Sequence, residues 1–323
     1  MPDAVATLHP DRKPRPRFPA DSGSARRTVA GCLAALMALA GGCTPTHQRL
    51  APAGPDDAIS RVNRNLARID RPLQYKAFVS VQFRDDSGAT RRLLGQEATL
   101  LFAPVRQLRL DIRSLAGQIA QFGSDGQHYW LWIEPQVRKL WWGRWDSLSD
   151  RRPSRLTLPP EDLLDVLMLR PLPLTLEGGL SPLLRRQGQD QRLLFVRLDG
   201  PGQPACGGPR AQLTGLREIR LDPTEPYQPT EIIDRLPDGR IRMLARLENY
   251  QPVEPGGPYT PRRYTLVWPL DGTQMRIDVT GARFRPDLPS EVFAFPRTWN
   301  GQIERLDTHE YQPAPAPPGI VGP

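Results

Sequence analysis

Cysteines, histidines and paired acids are the residues of this chain whose types and spacing could perform chemistry. The three cysteines are Cys32, Cys43 and Cys206, and the four histidines stand apart from them. No cysteine and histidine spacing suits a zinc ion, and neither a Gly-x-Ser-x-Gly elbow nor a phosphate-binding glycine loop is present. The acidic pair Glu161 and Asp162 precedes an apolar segment, where carboxylates favour a helix start. We therefore expect no enzymatic activity, no cofactor and no metal site.

The first 43 residues have the three-part pattern of an export signal. Residues 1–27 are polar, Pro-rich and basic, residues 28–40 are apolar, and small residues lead to Cys43. The apolar run is shorter than the roughly 20 residues that span a bilayer, and it suits a signal segment. Ala40-Gly41-Gly42-Cys43 resembles the lipobox of bacterial lipoproteins, in which the cysteine becomes the lipidated N-terminus. We predict that 1–43 is a lipoprotein signal and that Cys43 is the lipid attachment residue.

Other interpretations of this signal stay open. An ordinary cleaved signal and an uncleaved anchor are the alternatives to lipidation. Leu39 lies one residue early for the usual lipobox leucine, and the short pattern that ends at Cys32 follows no apolar stretch. Residues 44–56 are Pro-rich and weakly hydrophobic, which predicts a flexible tether between the lipid and the folded body.

The body of the chain, residues 57–300, predicts a mainly antiparallel β-domain. Ile59, Val62, Leu66 and Ile69 share one helical face, and after them apolar and polar residues alternate with period two. Asp-Gly dipeptides such as Asp238-Gly239 indicate hairpin turns. The pattern predicts a helix, six strands, a second helix near 160–169 and six further strands. Because a sheet of this length twists, we expect a mainly β (α+β) fold: a long curled antiparallel sheet that forms a half-barrel, with its concave face covered by a few helices.

The apolar faces of these strands are candidates for a hydrophobic cavity or a lipid contact. Segment 127–145 holds five of the seven tryptophans and is apolar on both faces. It has two main interpretations. One is burial on both sides, with one face on the core and the other under a loop or the Pro-rich tail. The other is contact with lipid, since Trp favours water–lipid interfaces. A platform on which sugars stack is a third interpretation, and the Arg and Lys neighbours suit it less well. The candidate residues are Val79, Val81, Leu110, Ile112, Trp130, Trp132, Trp141, Trp142, Trp268, Met275 and Ile277.

The charge pattern argues against a nucleic-acid partner, and the composition predicts where the folded body ends. The net charge is +8, but the basic residues of the body alternate with acidic ones along the strands. Nucleic-acid binding would need a basic stripe interleaved with stacking aromatics, so we expect no nucleic-acid partner. Residues 301–323 are Pro-rich and predict an extended, disordered tail.

The signal, tether, leading helix and long antiparallel sheet together resemble the LolA/LolB-like bacterial lipoprotein carriers. Residues 287–296, DLPSEVFAFP, are similar to the late motif of that family, an acidic turn followed by Phe-x-Phe. Residues 106–133 are similar to its core, in which two strands lead to an Asp-Gly turn and an aromatic strand. LolB-like receptors also have an exposed apolar loop, for which Leu180–Leu184 is the candidate.

The resemblance implies a membrane-anchored lipoprotein that binds acyl chains of lipids or lipoproteins in an apolar half-barrel cavity. Thr44 follows Cys43, whereas retained inner-membrane relatives usually have Asp there. This implies an outer-membrane lipoprotein that faces the periplasm, with the inner membrane as the alternative. A structural or assembly lipoprotein with a filled core, whose sheet packs on an envelope protein, is the second hypothesis. A hydrolase of envelope polymers is the third and needs two carboxyls across a cleft.

Overall fold

The computed structural model describes residues 52, 54–84, 88–104, 106–133, 138–146, 160–176, 180–199, 212–224, 226–296, 299 and 301–306. They belong to one compact unit, residues 49–323. The predicted signal, Cys43 and Cys206 lie outside the described residues, as do most of the predicted tether and the tail beyond Leu306. Neither described helix has the length and hydrophobicity that crossing a membrane requires.

Two helices and sixteen strands make up the described fold. Helix α1 spans Pro55–Leu66 and α2 spans Pro160–Val166, and a short 3₁₀ helix covers Ser290–Phe293. The strands are β1 (Leu73–Arg84), β2 (Thr90–Ala103), β3 (Gln107–Ser114), β4 (Gly117–Asp125), β5 (His128–Ile133), β6 (Lys139–Arg144), β7 (Leu183–Gln187), β8 (Asp190–Asp199), β9 (Gln212–Leu221), β10 (Pro229–Arg235), β11 (Ile241–Glu248), β12 (Gln251–Pro252), β13 (Tyr259–Thr260), β14 (Arg263–Trp268), β15 (Thr273–Phe284) and β16 (Gln302–Arg305).

Fourteen strands form one open sheet in the order β16-β6-β5-β4-β3-β2-β1-β15-β14-β11-β10-β9-β8-β7, while β12 and β13 pair separately. Every pairing in the large sheet is antiparallel except β16 with β6. The two halves join where β1 pairs with β15, so that Val79 lies opposite Ile277. The sheet curls without closing, which confirms the predicted half-barrel fold class.

Helix α1 forms where the sequence supplies a start signal and one apolar face. Pro55 occupies the first turn, where its missing N–H is no loss, and Asp56 and Asp57 favour the positive helix end. Asp57 also accepts two hydrogen bonds of 2.9 Å from Arg61, one turn later. The buried residues of the helix are Ala58, Ile59, Val62, Asn65 and Leu66.

Helix α2 is shorter than the predicted 160–169. It ends at Val166 because Met168 adopts a positive φ of 52°, which reverses the chain. The segment after the helix nevertheless stays buried through Leu169. Side chains from both helices join the cluster formed by the inner face of the sheet. We call this surface the inner face, and it is the face that the two helices cover.

The C-terminal segment covers part of the opposite, outer face. Leu288, Val292 and Phe293 pack on Leu101 and Ala103 of β2. The segment is fixed there because the Arg109 Nη1 donates to the Val292 carbonyl at 2.9 Å. It ends in β16, whose residues lie within the segment 301–323 that the composition predicts as a tail.

Candidate functional site

The inner face brings together most of the candidate residues for an apolar cavity. Each of them points inward because period-two alternation places every second residue of a strand on the same face. The candidates in this single apolar cluster, including Val81 at its margin, are Val79, Val81, Leu110, Ile112, Trp268, Met275 and Ile277. Helices α1 and α2 bury this surface with side chains such as Ile59, Val62, Leu163 and Leu164, each at most 1% exposed. The candidates therefore line an apolar surface that helices cover.

Three of the predicted tryptophans do not share that surface. Trp130, Trp132 and Trp142 lie on the outer face, because Tyr129 and Leu131 take the inward positions of the same strand. They form an outer aromatic cluster, which consists of Trp130, Trp132, Leu140, Trp142, Phe295 and Trp299. The aromatic segment is therefore packed on both of its faces. Its inner face meets the core, and the C-terminal segment covers its outer face.

Close packing fixes this outer aromatic cluster. The Trp130 ring lies so near Gly123 that an added Cβ there would meet it at 2.1 Å. The Trp130 indole N–H donates to the Gln121 side-chain oxygen at 3.0 Å, which satisfies its buried donor. Phe295 meets Trp130 edge-on, with a distance of 5.2 Å between the ring centroids. Such edge-to-face pairs are the favoured aromatic geometry.

Trp141 lies apart from both groups of side chains. It is half-buried and pairs with Leu131 across the β5–β6 register. The Lys139 ammonium lies over its ring, 5.2 Å from the centroid, which is a cation–π contact. Within the described residues it belongs to neither apolar cluster, so its place in a cavity stays a prediction.

Two asparagines hold α1 in place over the inner face. The Asn63 amide donates to the Leu172 carbonyl and accepts from the Leu172 N–H, each at 2.8 Å. The Asn65 amide pairs in the same way with the backbone of Tyr259, at 2.8 and 2.7 Å. Helix α1 is thus joined on one side to the segment after α2 and on the other to β13. We call these four hydrogen bonds the asparagine contacts.

Helix α2 is held by ion pairs on the same face. Asp165 in α2 accepts a hydrogen bond from Arg217 of β9, and Arg217 in turn binds Asp234 of β10 at 2.7 and 2.8 Å. Arg242 adds a third hydrogen bond to Asp234, at 2.6 Å. Burial acts to raise the pKa of Asp234, but the charge and hydrogen bonds of Arg217 outweigh it and hold that pKa well below its usual range. Asp234 is therefore ionised at neutral pH.

The sequence interpretation missed these polar groups. Asn63 and Asn65 flank the apolar stripe of the predicted helix, so their only signal is a neutral polar residue at the edge of a buried face. Arg217 and Asp234 occupy inward positions of alternating strands, where a charged residue needs a partner. That pattern could have predicted an internal ion pair, although not which strands bring the partners together.

Some apolar side chains remain exposed at the ends of the sheet. In the candidate loop, Leu180 is 38% and Leu183 58% exposed, whereas Leu184 packs against the core. Leu115, in the turn between β3 and β4, is fully exposed. Across the described ranges, no group of three or more His, Cys, Asp or Glu side chains is placed to hold a metal ion.

Comparison with known proteins gives similar folds at low identity. No family model and no curated protein matches the chain. A putative outer membrane lipoprotein-sorting protein domain from Vibrio parahaemolyticus aligns with a TM-score of 0.45 and 12% identity, over 74% of this chain and 97% of that one. A LolA superfamily protein from Nitrosomonas europaea aligns with a TM-score of 0.43 and 16% identity, over 72% and 97%. A DUF1329 family protein from Desulfovibrio piger gives 0.39 and 14%, over 73% and 95%.

Proposed function

We propose that this chain is a membrane-tethered lipoprotein whose inner face binds acyl chains of lipids or lipoproteins and carries or receives them within the bacterial envelope. The observation that carries the proposal is the way the inner face is covered. Two helices cover a broad apolar surface, and side-chain contacts rather than sheet hydrogen bonds hold them there. The helices can therefore move without breaking the sheet.

The hydrogen bonds that α1 would lose on moving and the apolar burial that an acyl chain would gain have free energies of similar size. The four asparagine contacts are neutral hydrogen bonds, worth about 1 kcal/mol each and about 4 kcal/mol together. An acyl chain that buries ten methylenes contributes about 8 kcal/mol. A chain that enters between α1 and the inner face therefore compensates for the loss of these contacts. The process is binding and transfer, with no chemical step.

The proposed tether explains how such a site would reach its ligand. A lipid on Cys43 would hold the domain at the membrane surface through the predicted tether, which ends where α1 begins at Pro55, with the outer membrane and the periplasm as the proposed location. Palmitate labelling in bacteria tests this part. We expect Cys43→Ala to abolish the label and Cys32→Ala to retain it. Retention of the label in Cys43→Ala would refute lipidation at that residue.

Ligand binding is tested on the purified full-length protein by native mass spectrometry and by titration with a fluorescent fatty acid. We expect co-purified lipid and saturable uptake. Ile277→Ala on the inner face should weaken uptake, whereas Phe78→Ala, at an exposed outer position of β1, should leave it unchanged. Circular dichroism of both variants checks that they remain folded.

Absence of both lipid and uptake would overturn acyl binding. The helices would then be permanent parts of a filled core. The result would favour the alternative, a structural or assembly lipoprotein whose sheet packs on an envelope protein.

A further inference from the structure

A group of polar side chains interrupts the apolar inner face next to β12 and β13. It consists of Tyr75 of β1, Thr260 of β13, Arg262 directly before β14, and Tyr264 of β14, and we call it the inner polar group. Tyr75, Thr260 and Tyr264 are 1%, 3% and 0% exposed. Arg262 is half-buried, and its charge acts on both Tyr75 and Tyr264, so it belongs to the same group.

Most buried polar atoms of this group lack a well-formed hydrogen bond. The hydroxyl of Tyr75 lies next to those of Thr260 and Tyr264, but none of the three makes a hydrogen bond of good geometry within the described part of the chain. The Nε and Nη1 atoms of Arg262 are also buried without an acceptor. The outer nitrogen of this guanidinium, Nη2, donates to the Pro252 carbonyl at 2.9 Å. Buried polar groups are nearly always hydrogen-bonded, so a cluster of unpaired ones calls for an explanation.

The chemistry of the group points to an acceptor ligand. Arg262 carries a permanent charge and only donors, and none of the described acidic groups forms an ion pair with it. Burial raises the pKa of both Tyr75 and Tyr264, which keeps their hydroxyls neutral and able to donate. Three hydroxyls thus lie together in an apolar interior beside a guanidinium whose Nε and Nη1 find no acceptor among the described residues.

We propose that the inner polar group binds the acyl oxygens of the ligand, as the carboxylate of a fatty acid or the ester carbonyl of a lipid. The inference rests on the proposed function. It assigns a binding site to the oxygen-bearing end of an acyl chain whose methylenes would lie along the inner face. Carboxylates form charge-assisted hydrogen bonds with Arg and good ones with hydroxyls. The ligand oxygens would accept hydrogen bonds from the donors that lack a well-formed one in the protein.

Access to the inner polar group runs past one pair of the asparagine contacts. Thr260 directly follows Tyr259, whose backbone pairs with Asn65 of α1. Release of Asn65 therefore frees α1 and β13 from each other next to the group. The same movement that exposes apolar surface for the chain would expose the donors for its head.

The test compares three ligands of equal chain length, namely palmitate, methyl palmitate and hexadecanol. Their affinities for the full-length protein are measured by competition with a fluorescent fatty acid. The wild-type protein should bind hexadecanol at least about ten-fold more weakly than palmitate, since the alcohol forms no charge-assisted hydrogen bond. If palmitate alone is preferred, the ligand is a free carboxylate, and if methyl palmitate matches it, the ligand is an ester.

The double variant Tyr75→Phe/Tyr264→Phe separates binding from structure. It should lose about three-fold or more of the preference over hexadecanol, since Arg262 keeps its charge-assisted hydrogen bond, while hexadecanol itself binds as before. Its melting temperature should stay level or rise, because the two buried hydroxyls that it removes make no hydrogen bond of good geometry in the folded protein. The matched control is Tyr250→Phe, whose buried hydroxyl donates to the Pro229 carbonyl at 2.6 Å. That variant should melt earlier and keep the ligand preference.

The outcomes distinguish this inference from the proposed function. If none of the three ligands binds, acyl binding itself fails. If all three bind equally, or if the double variant keeps the wild-type preference, the inner polar group does not read the acyl oxygens and the inference is overturned. A lower melting temperature with unchanged preference would also overturn it, since the hydroxyls would then be structural.

Discussion

The buried carboxylate of Asp234 allows a quantitative test of how the inner face is organised. Asp234→Asn keeps the shape of the side chain and removes its charge. The carboxylate accepts two hydrogen bonds from Arg217 and one from Arg242, at 2.6 to 2.8 Å. Leaving such a buried pair incomplete costs about 3–5 kcal/mol. Because Arg217 keeps its bond to Asp165, we expect the lower end, about 3 kcal/mol, in urea unfolding at pH 7.

The pH dependence of this loss has a definite sign. The pKa of Asp234 is lower in the folded protein than in the unfolded chain, where an aspartate titrates near 3.9. A depressed pKa contributes stability that is complete above the unfolded value and is lost as the pH falls through the folded value. The difference between wild type and Asp234→Asn should therefore be largest at pH 7 and smaller at pH 3, measured by tryptophan fluorescence in urea.

A surface aspartate provides the control for this experiment. Asp238 lies half-exposed in the hairpin turn before β11 and pairs with Arg240. Asp238→Asn should change the free energy of unfolding far less than Asp234→Asn at pH 7. Equal effects of the two substitutions would refute the reasoning, and so would an Asp234→Asn effect that is independent of pH.

Further substitutions test the covering elements. Gly123→Ala places a Cβ against the Trp130 ring and should destabilise the protein by about 1–3 kcal/mol in urea unfolding. An unchanged midpoint would contradict this packing. Trp299→Ala uncovers the outer aromatic cluster and should cost about 3–5 kcal/mol, with new binding of a hydrophobic dye as the readout. Asn65→Ala removes the two hydrogen bonds to Tyr259 and should speed hydrogen exchange along α1, with a loss of about 1–2 kcal/mol. If exchange in α1 stays at the wild-type rate, the asparagine contacts do not hold the helix.

The part of the fold that follows from local pattern could be predicted from the sequence. Met275 and Ile277 alternate with polar residues, and this alternation marks the observed β15. The same alternation predicts that these residues share a face, because successive side chains of a strand point to opposite sides. The apolar stripe of Ile59, Val62 and Leu66 likewise predicts α1 and its buried face. Local periodicity was sufficient in each case.

The parts that depend on distant segments could not be predicted. Trp130 and Trp142 read as candidates for the same cavity as Ile277, yet they lie on the outer face under Phe295 and Trp299. Two apolar faces on one strand do not show which of them meets the helices. The edge strand β16 has only four residues and pairs in parallel with β6, so its own sequence carries little signal. Its pairing depends on the whole C-terminal segment crossing the outer face.

Two kinds of contact hold the helices over the inner face, namely apolar packing and directional polar contacts. Apolar area holds the helices on the sheet, but it is non-directional and would hold them equally well in several positions. The asparagine contacts and the Asp165–Arg217 pair are directional, so they select one position for each helix. An acyl chain can replace apolar contacts but cannot replace these polar ones. The covered and uncovered states therefore differ mainly in a few named polar contacts, which is why single substitutions at Asn65 or Asp165 should shift the balance between them.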